Sequence, residues 1–185
     1  EGIVGTVATL TAVIDSRGFS LDVALVGLAG IGMTFGMWWI YYLLPSAEAL
    51  ERARRKSFLW GYCHMAIIAA IVASGAGLHV AAKYMEHQAH IGSTATLLTV
   101  VVPLVIFISG LYALHAYLIG STDPFRRWLL LVTLIVILLA VMASMVGLSM
   151  PVCLVILGLA PAVSVVGHEL RGHRYRAIAA HGEIS

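Results

Sequence analysis

Charged residues are scarce in this chain. They make up 11% of its 185 residues, whereas a soluble domain carries about 25%. Hydrophobic residues reach 61%, and the mean hydropathy is +0.97. The basic segments also lack the interleaved aromatic residues that are typical of nucleic-acid binding. The composition therefore excludes a soluble domain and a nucleic-acid partner, and it indicates an integral membrane protein whose main partner is the lipid bilayer.

Enzyme signatures are missing as well. The sequence contains no G-x-S-x-G, Walker A or dinucleotide fingerprint. Its two cysteines, Cys63 and Cys153, lie on different predicted helices near opposite membrane faces, so we expect no disulfide. We expect the chain not to be an enzyme. It also shows no signal-peptide layout and begins within an apolar run, so we expect further sequence upstream.

The histidines do not form a ligand set. A metal site favours His or carboxylate residues spaced i,i+3 or i,i+4, and the nearest candidates lie in a loop and the tail: His87, His90, His168 and His173. His64 and His79 share one helix face about 22 Å apart by rise, which suits two haems, but the facing span offers only His115. We therefore expect no metal and no cofactor.

Long apolar runs are what the sequence has in quantity. They predict an all-α fold, a polytopic transmembrane helix bundle of about six spans in residues 1–170, followed by a basic tail in residues 171–185. Residues 1–14 cover only about 21 Å at 1.5 Å per residue, less than the hydrocarbon core of about 30 Å, so the first span is predicted to be truncated. The other spans are predicted at residues 21–44, 58–82, 93–119, 128–146 and 150–170.

Lysine and arginine are distributed unevenly between the two predicted membrane faces. Nine of them fall on one side: Arg52, Arg54, Arg55, Lys56, Arg126, Arg127, Arg171, Arg174 and Arg176. Only Arg17 and Lys83 fall on the other side. The positive-inside rule predicts that the first side is cytoplasmic. The chain is thus predicted to be a multi-pass protein of the cell membrane, with both of its ends on the cytoplasmic side.

The third span has two distinct faces. One carries Ser57, Trp60, His64, Ile68, Ile71, Gly75, His79 and Ala82, and the opposite one carries Ala66, Ala70, Ala73 and Gly77. Polar groups are costly in lipid, and small residues allow close packing. We expect this helix to lie inside the bundle with little of its surface facing lipid. The fifth span has the fewest polar groups and is expected to be the most lipid-exposed.

Three ionisable residues from three spans are predicted at one depth. His64 lies about 10 Å and His115 about 7 Å from the cytoplasmic helix ends by rise, and Glu1 falls at a similar level. Ionisable groups in spans are costly and often functional. We predict a substrate or proton site formed by Glu1, His64, His115, Tyr62, Tyr112 and Trp60. The alternative is that each histidine only bonds a neighbouring helix.

Two short motifs carry a family resemblance. LWGYCHMAIIAAIVASGAGLHVA in the third span resembles the Y-x-H…G-x-G-L…A helix of the bacterial low temperature requirement A membrane proteins. The opening Glu1-Gly2-Ile3-Val4 resembles the end of that family's L-G-E-[SG]-I motif. The resemblance implies that Glu1 is the family's intramembrane glutamate and that Tyr62 and His64 form its Y-x-H pair.

The resemblance covers about residues 1–170 and has departures. Cys63 lies within the Y-x-H motif, and His79 stands where the family often has an acidic residue or its neighbour. The L-E-L-F-F-D signature of the family's N-terminal half is missing from this sequence. The resemblance therefore implies that the chain is the second half of a larger protein. Since the family has no firmly assigned activity, it implies the fold and leaves the mechanism open.

Two functions from different classes fit these patterns. The first is a small-solute or proton-coupled ion transporter with protonatable Glu1 and His64 next to proline-containing helices. The second is a membrane scaffold or accessory subunit, in which the G-x-x-x-G motif formed by Gly32 and Gly36 binds a partner membrane protein or a second copy of the chain. A water-accessible cavity that reaches His64 favours the transporter. A dry interior with an apolar patch on the fifth span favours the scaffold.

Overall fold

Five long helices make up most of the described part of the protein. The structure, a computed structural model, describes residues 4, 7, 11, 21–43, 54–88, 90–119 and 123–182, with side chains except at 23, 54, 119 and 171–182. The helices are α1 (Leu21–Leu43), α2 (Ser57–Met85), α3 (Ser93–Ile119), α4 (Pro124–Met145) and α5 (Met150–Gly182), and a 3₁₀ turn, Arg54–Lys56, precedes α2. All five are long and apolar enough to cross a membrane.

The predicted helical bundle is confirmed, and the predicted boundaries need two corrections. Helix α4 begins at Pro124 and not at residue 128, so Arg126 and Arg127 lie in its first turn. Proline suits the first helical position, and the Asp123 side chain accepts a hydrogen bond from Phe125 N at 3.0 Å as an N-cap. Helix α5 continues past its apolar span, which ends at Leu170, into the predicted tail.

Of the predicted first span, only Val4, Val7 and Thr11 are described. All three are helical and exposed. Glu1 lies outside the described residues, as does most of the predicted linker between α1 and α2.

The helices form an antiparallel series from α2 to α5, with α1 packed in parallel on α5. Two close approaches set the direction of α1: Gly158 lies against Ala29, and Gly36 lies against Pro161. Since both residue numbers rise together along the two helices, α1 and α5 run the same way. The chain thereby brings Lys56, Arg126 and Arg127 to one end of the bundle, which we call the basic end.

Helix α3 is at the centre of the core. It packs against all four other helices, and its side chains at Leu97, Val100, Leu104, Phe107 and Ile108 are completely buried. Their spacing of three and four residues places them along one face of the helix. Helix α4 is the least buried of the five spans, as the sequence predicts.

The expectation that the third span lies deep in the bundle is wrong. Helix α2 buries one stripe that includes Ile67, Ala70 and Leu78 against α3, but Phe58, Met65, Ile68, Val72 and other large apolar residues are exposed. The buried stripe runs between the two predicted faces. Apolar side chains are equally acceptable toward lipid and toward a protein interior, so hydrophobicity did not identify the packed face.

Tight turns at the end opposite the basic end connect the helices. Gly147 adopts a φ of +90° after α4, and Leu148 N donates to Ala143 O at 3.0 Å. His87 adopts a φ of 59° after α2, and Gln88 N donates to Lys83 O at 2.9 Å. Both turns are Schellman caps, in which a left-handed residue satisfies carbonyls of the last helical turn.

Candidate functional site

His64 lies in an aromatic cluster near the basic end. Its Nε2 is 2.8 Å from the Tyr41 hydroxyl of α1, and the Trp60 indole stacks on the imidazole with ring centroids 4.3 Å apart. Trp60 and His64 are one helical turn apart on α2, which brings their rings together. The hydrogen bond joins α1 to α2 and fixes the orientation of the imidazole.

A small cavity lies beside this cluster. Tyr41, Trp60 and His64 form one wall, and α3 closes the other with Leu111, Leu114, His115 and Leu118. Its volume of about 10 Å³ corresponds to about one water molecule. His64 and His115 thus border the same space, as their shared depth predicts.

His115 is buried without hydrogen-bond partners among the described residues. Only 4% of its surface is exposed, and neither ring nitrogen has a partner. His64 Nδ1 and Trp60 Nε1 are also buried, and neither has a partner in the part of the chain that the structure describes. A buried polar group without a partner costs about 1–3 kcal/mol, and native structures contain few of them. Four such nitrogens in one layer therefore mark a place where a water, a proton or a ligand can bind.

A second and larger cavity lies between α3 and α4. Its volume is about 220 Å³, and its lining residues are Ser109, Tyr112, Ala113, His115, Ala116, Asp123, Arg126, Arg127 and Leu130. On a helical wheel, the α3 residues of the two cavities fall on opposite sides of that helix, with His115 at the boundary. His115 is therefore the residue that the two cavities share.

A hydroxyl network lies behind the larger cavity. Ser164 of α5 is fully buried, and its Oγ is 2.8 Å from Thr133 Oγ1 of α4 and 3.4 Å from the Tyr112 hydroxyl of α3. The His168 ring contacts Tyr112 at 5.9 Å between centroids. These contacts hold three helices together and fix the position of Tyr112.

Lys56 caps the C-terminus of α3, which lies at the basic end. Its Nζ donates to Tyr117 O at 2.5 Å and lies 3.3 Å from Leu118 O, and it sits 4.8 Å from the centroid of the Tyr117 ring. The last carbonyls of a helix lack partners within the helix and carry partial negative charge. A lysine at this position donates hydrogen bonds to them, and its positive charge interacts favourably with the helix dipole.

The predicted site residues divide into three groups. His64, Trp60 and His115 come together at the small cavity, and Tyr112 lines the larger one with His115. Tyr62 borders neither cavity, since its side chain is 59% exposed and packs on Phe58. Glu1 lies outside the described residues.

Sequence reasoning missed two contributors to this site. Neither Tyr41 nor Arg126 is among the residues that the sequence predicts for the site. The length of the apolar run cannot reveal which of the adjacent residues Tyr41 and Tyr42 faces inward. The Asp123-Pro124 pair, a good N-cap followed by a good first helical residue, was the signal that would have placed Arg126 on α4.

Comparison with known proteins identifies a family. The profile of the family described as bacterial low temperature requirement A protein matches residues 1–161. No curated protein and no solved structure matches the chain.

Proposed function

We propose that this chain moves protons or a proton-coupled small solute. It belongs to the bacterial low temperature requirement A family, and it is an integral membrane protein with five described membrane-spanning helices. We propose that the protein is a transporter and not an enzyme. The basic end is assigned to the cytoplasm, on the basis of the lysine and arginine distribution, and the membrane is proposed to be the cell membrane.

The observation that carries this proposal is that His115 is buried between two cavities and has no hydrogen-bond partner among the described residues. Imidazole can both accept and release a proton near neutral pH, and His115 borders the space next to His64 as well as the larger cavity next to Arg126. The path that we propose runs from Tyr41 and His64 through a water in the small cavity to His115. Glu1, which the sequence predicts as a second protonatable group of this site, lies outside the described residues.

A scaffold is the second candidate, and the exposed face of α4 supports it. Leu131, Ile135, Leu138, Leu139 and Met142 are all about half exposed on that helix. A row of apolar side chains at helical spacing can bind lipid or the helix of a partner membrane protein. The partner surface predicted at Gly32 and Gly36 needs a correction, because Gly36 already packs against Pro161 within the chain.

Proton flux into proteoliposomes distinguishes the two candidates. The purified chain is reconstituted with a pH-sensitive dye inside the vesicles, and a potassium diffusion potential is imposed with valinomycin. We expect flux above that of protein-free vesicles, and a decrease of about a hundredfold or more in His115→Gln and His64→Gln, the order of magnitude for loss of a proton-transfer group. The matched control is His79→Gln, an exposed histidine on α2, which should leave the flux unchanged.

Glu1→Gln tests the carboxylate in the same assay, and we expect it to lower the flux as well. A flux equal to that of protein-free vesicles would reject transport of protons and favour the scaffold. A flux that is equal in wild type, His115→Gln and His64→Gln would remove the histidines from the path.

A further inference from the structure

The larger cavity between α3 and α4 has the properties of a ligand site. We infer that it binds an oxyanion, a carboxylate or phosphate group, through Arg126 and His115. This inference goes beyond the proposed function, since such a site would bind its ligand in a chain that moves no protons.

The charge of the lining favours an anion. Among the described residues that line the cavity, two are arginines, Arg126 and Arg127, and one is an aspartate, Asp123. One oxygen of this carboxylate already accepts the hydrogen bond from Phe125 N as the N-cap of α4. The guanidinium fork donates two parallel hydrogen bonds to carboxylate or phosphate, which makes arginine well suited to these groups.

The polar groups deeper in the cavity supply further donors. A neutral imidazole always carries one N–H, and His115 is buried with neither of its nitrogens bonded among the described residues. Ser109 adds a hydroxyl donor, whereas the Tyr112 hydroxyl already donates its hydrogen to Ser164 Oγ at 3.4 Å. An oxyanion bound here would receive a donor from His115, and it would remove the cost of burying that imidazole without a partner.

The volume and the apolar part of the lining fit the same ligand class. The cavity measures about 220 Å³, and a site for one water needs only about 10–15 Å³, so a group of several atoms can enter. Ala113, Ala116 and Leu130 provide an apolar wall. The ligand is therefore an anionic head with an adjoining apolar portion.

Two sources can supply such a group. Ala113 and Arg127 are exposed at the rim of the cavity, and basic pockets between transmembrane helices bind anionic lipid headgroups. A free carboxylate or phosphate in the aqueous phase offers the same oxygens. The binding chemistry is common to both, so the experiment separates them by using two arms.

The first arm uses the delipidated full chain in a non-ionic detergent, titrated with inorganic phosphate and, separately, with benzoate in a calorimeter. The second arm places the chain in nanodiscs of phosphatidylcholine with or without phosphatidylglycerol, and native mass spectrometry counts the phosphatidylglycerol that stays bound. The test variants are Arg126→Gln, which removes the guanidinium, and Ala113→Leu, which fills the cavity from an exposed position. Arg55→Gln is the matched control, because Arg55 is exposed near the start of α2 and does not line the cavity.

We expect binding in at least one arm, weakened about tenfold or more by Arg126→Gln and by Ala113→Leu, since a charge-assisted bidentate contact accounts for at least that factor. Arg55→Gln should stay within about twofold of wild type, as expected for an exposed charge. Binding of phosphate or benzoate identifies a soluble ligand, and retention of phosphatidylglycerol alone identifies a lipid headgroup.

The inference fails if neither arm shows binding, or if Arg126→Gln and Ala113→Leu bind as well as wild type. It also fails if Arg55→Gln loses as much affinity as Arg126→Gln, since the effect would then reflect only the general charge of this end. A chain that binds an anion but shows no proton flux would leave this site in place and reject the transport proposal.

Discussion

At the scale of single residues, the hydrogen bond between Tyr41 and His64 is the contact that organises the small cavity. It crosses from α1 to α2 at a place where those helices otherwise touch little. The stacked Trp60 ring covers the imidazole from one side. His64 is thus held in one orientation by a partner that lies 23 residues earlier in the chain.

Removal of the Tyr41 hydroxyl should weaken this arrangement. Tyr41→Phe keeps the ring and deletes only the partner of His64 Nε2, so we expect it to lower the free energy of unfolding by about 0.6 kcal/mol and at most about 1.7 kcal/mol, the range for hydrogen bonds between membrane helices. Thermal unfolding in detergent micelles measures the change. Tyr42→Phe is the control, because the Tyr42 side chain is 68% exposed, and it should have no effect. Equal stability of Tyr41→Phe and wild type would show that the hydrogen bond contributes nothing.

At the scale of helices, glycines set how closely pairs of helices approach. A Cβ atom on Gly77 would lie 2.5 Å from Thr99 O, and one on Gly36 would lie 2.6 Å from Pro161 Cβ. The first contact joins α2 to α3 and the second joins α1 to α5. At Gly77 the missing side chain lets the two backbones meet, and at Gly36 it lets the α1 backbone contact the Pro161 ring. Both contacts gain dispersion energy where no hydrophobic effect acts.

Gly77→Ala should therefore separate α2 from α3. We expect a loss of about 1–3 kcal/mol, the usual cost of overpacking, because the obstacle is a backbone carbonyl that cannot rotate away. Gly61→Ala on the same helix has no atom within 4 Å of the added Cβ and should gain about 0.5–1 kcal/mol from helix propensity. Unfolding midpoints of the two variants and wild type give the comparison. A Gly77→Ala midpoint at or above that of Gly61→Ala would contradict the close approach.

At the scale of the whole molecule, the position of α3 brings the two cavities together. Helix α3 packs against all four other helices of the bundle. His115 lies near its basic end and borders both cavities. Any movement of α3 relative to its neighbours would therefore change the two spaces at once.

The orientation of the bundle can be tested by cysteine labelling. After replacement of Cys63 and Cys153, single cysteines are introduced at Gln88 and Ser149, which are exposed in turns at one end, and at Ser57, which is exposed at the basic end. We expect a membrane-impermeant maleimide to label Gln88→Cys and Ser149→Cys in intact cells, and Ser57→Cys only after permeabilisation, because the lysine and arginine excess predicts a cytoplasmic basic end. Labelling of Ser57→Cys in intact cells would invert the topology, and labelling of Gln88→Cys and Ser149→Cys from different sides would contradict the helix order.

Sequence alone was sufficient for the class of the protein, its family resemblance, and the existence and approximate limits of α1 to α5. Each of these follows from local properties, since a backbone in hydrocarbon must satisfy its own hydrogen bonds within a helix and the membrane sets the length of the apolar run. The depth of a residue in the membrane also follows from local properties, because it depends only on the number of residues to the helix end. For this reason the sequence places His64 and His115 at a similar depth, and both border the small cavity.

Only the tertiary structure decided which side of each helix is buried. Tyr41 faces His64 while the next residue, Tyr42, is exposed, and His64 faces inward while Tyr62 of the same Y-x-H motif points outward. The larger cavity likewise needed α3 and α4 to bring His115 and Arg126 to one space. The buried side could not be predicted because lipid is as apolar as a protein interior. Packing and a few hydrogen bonds distinguish the inward side, and these contacts exist only once the helices are together.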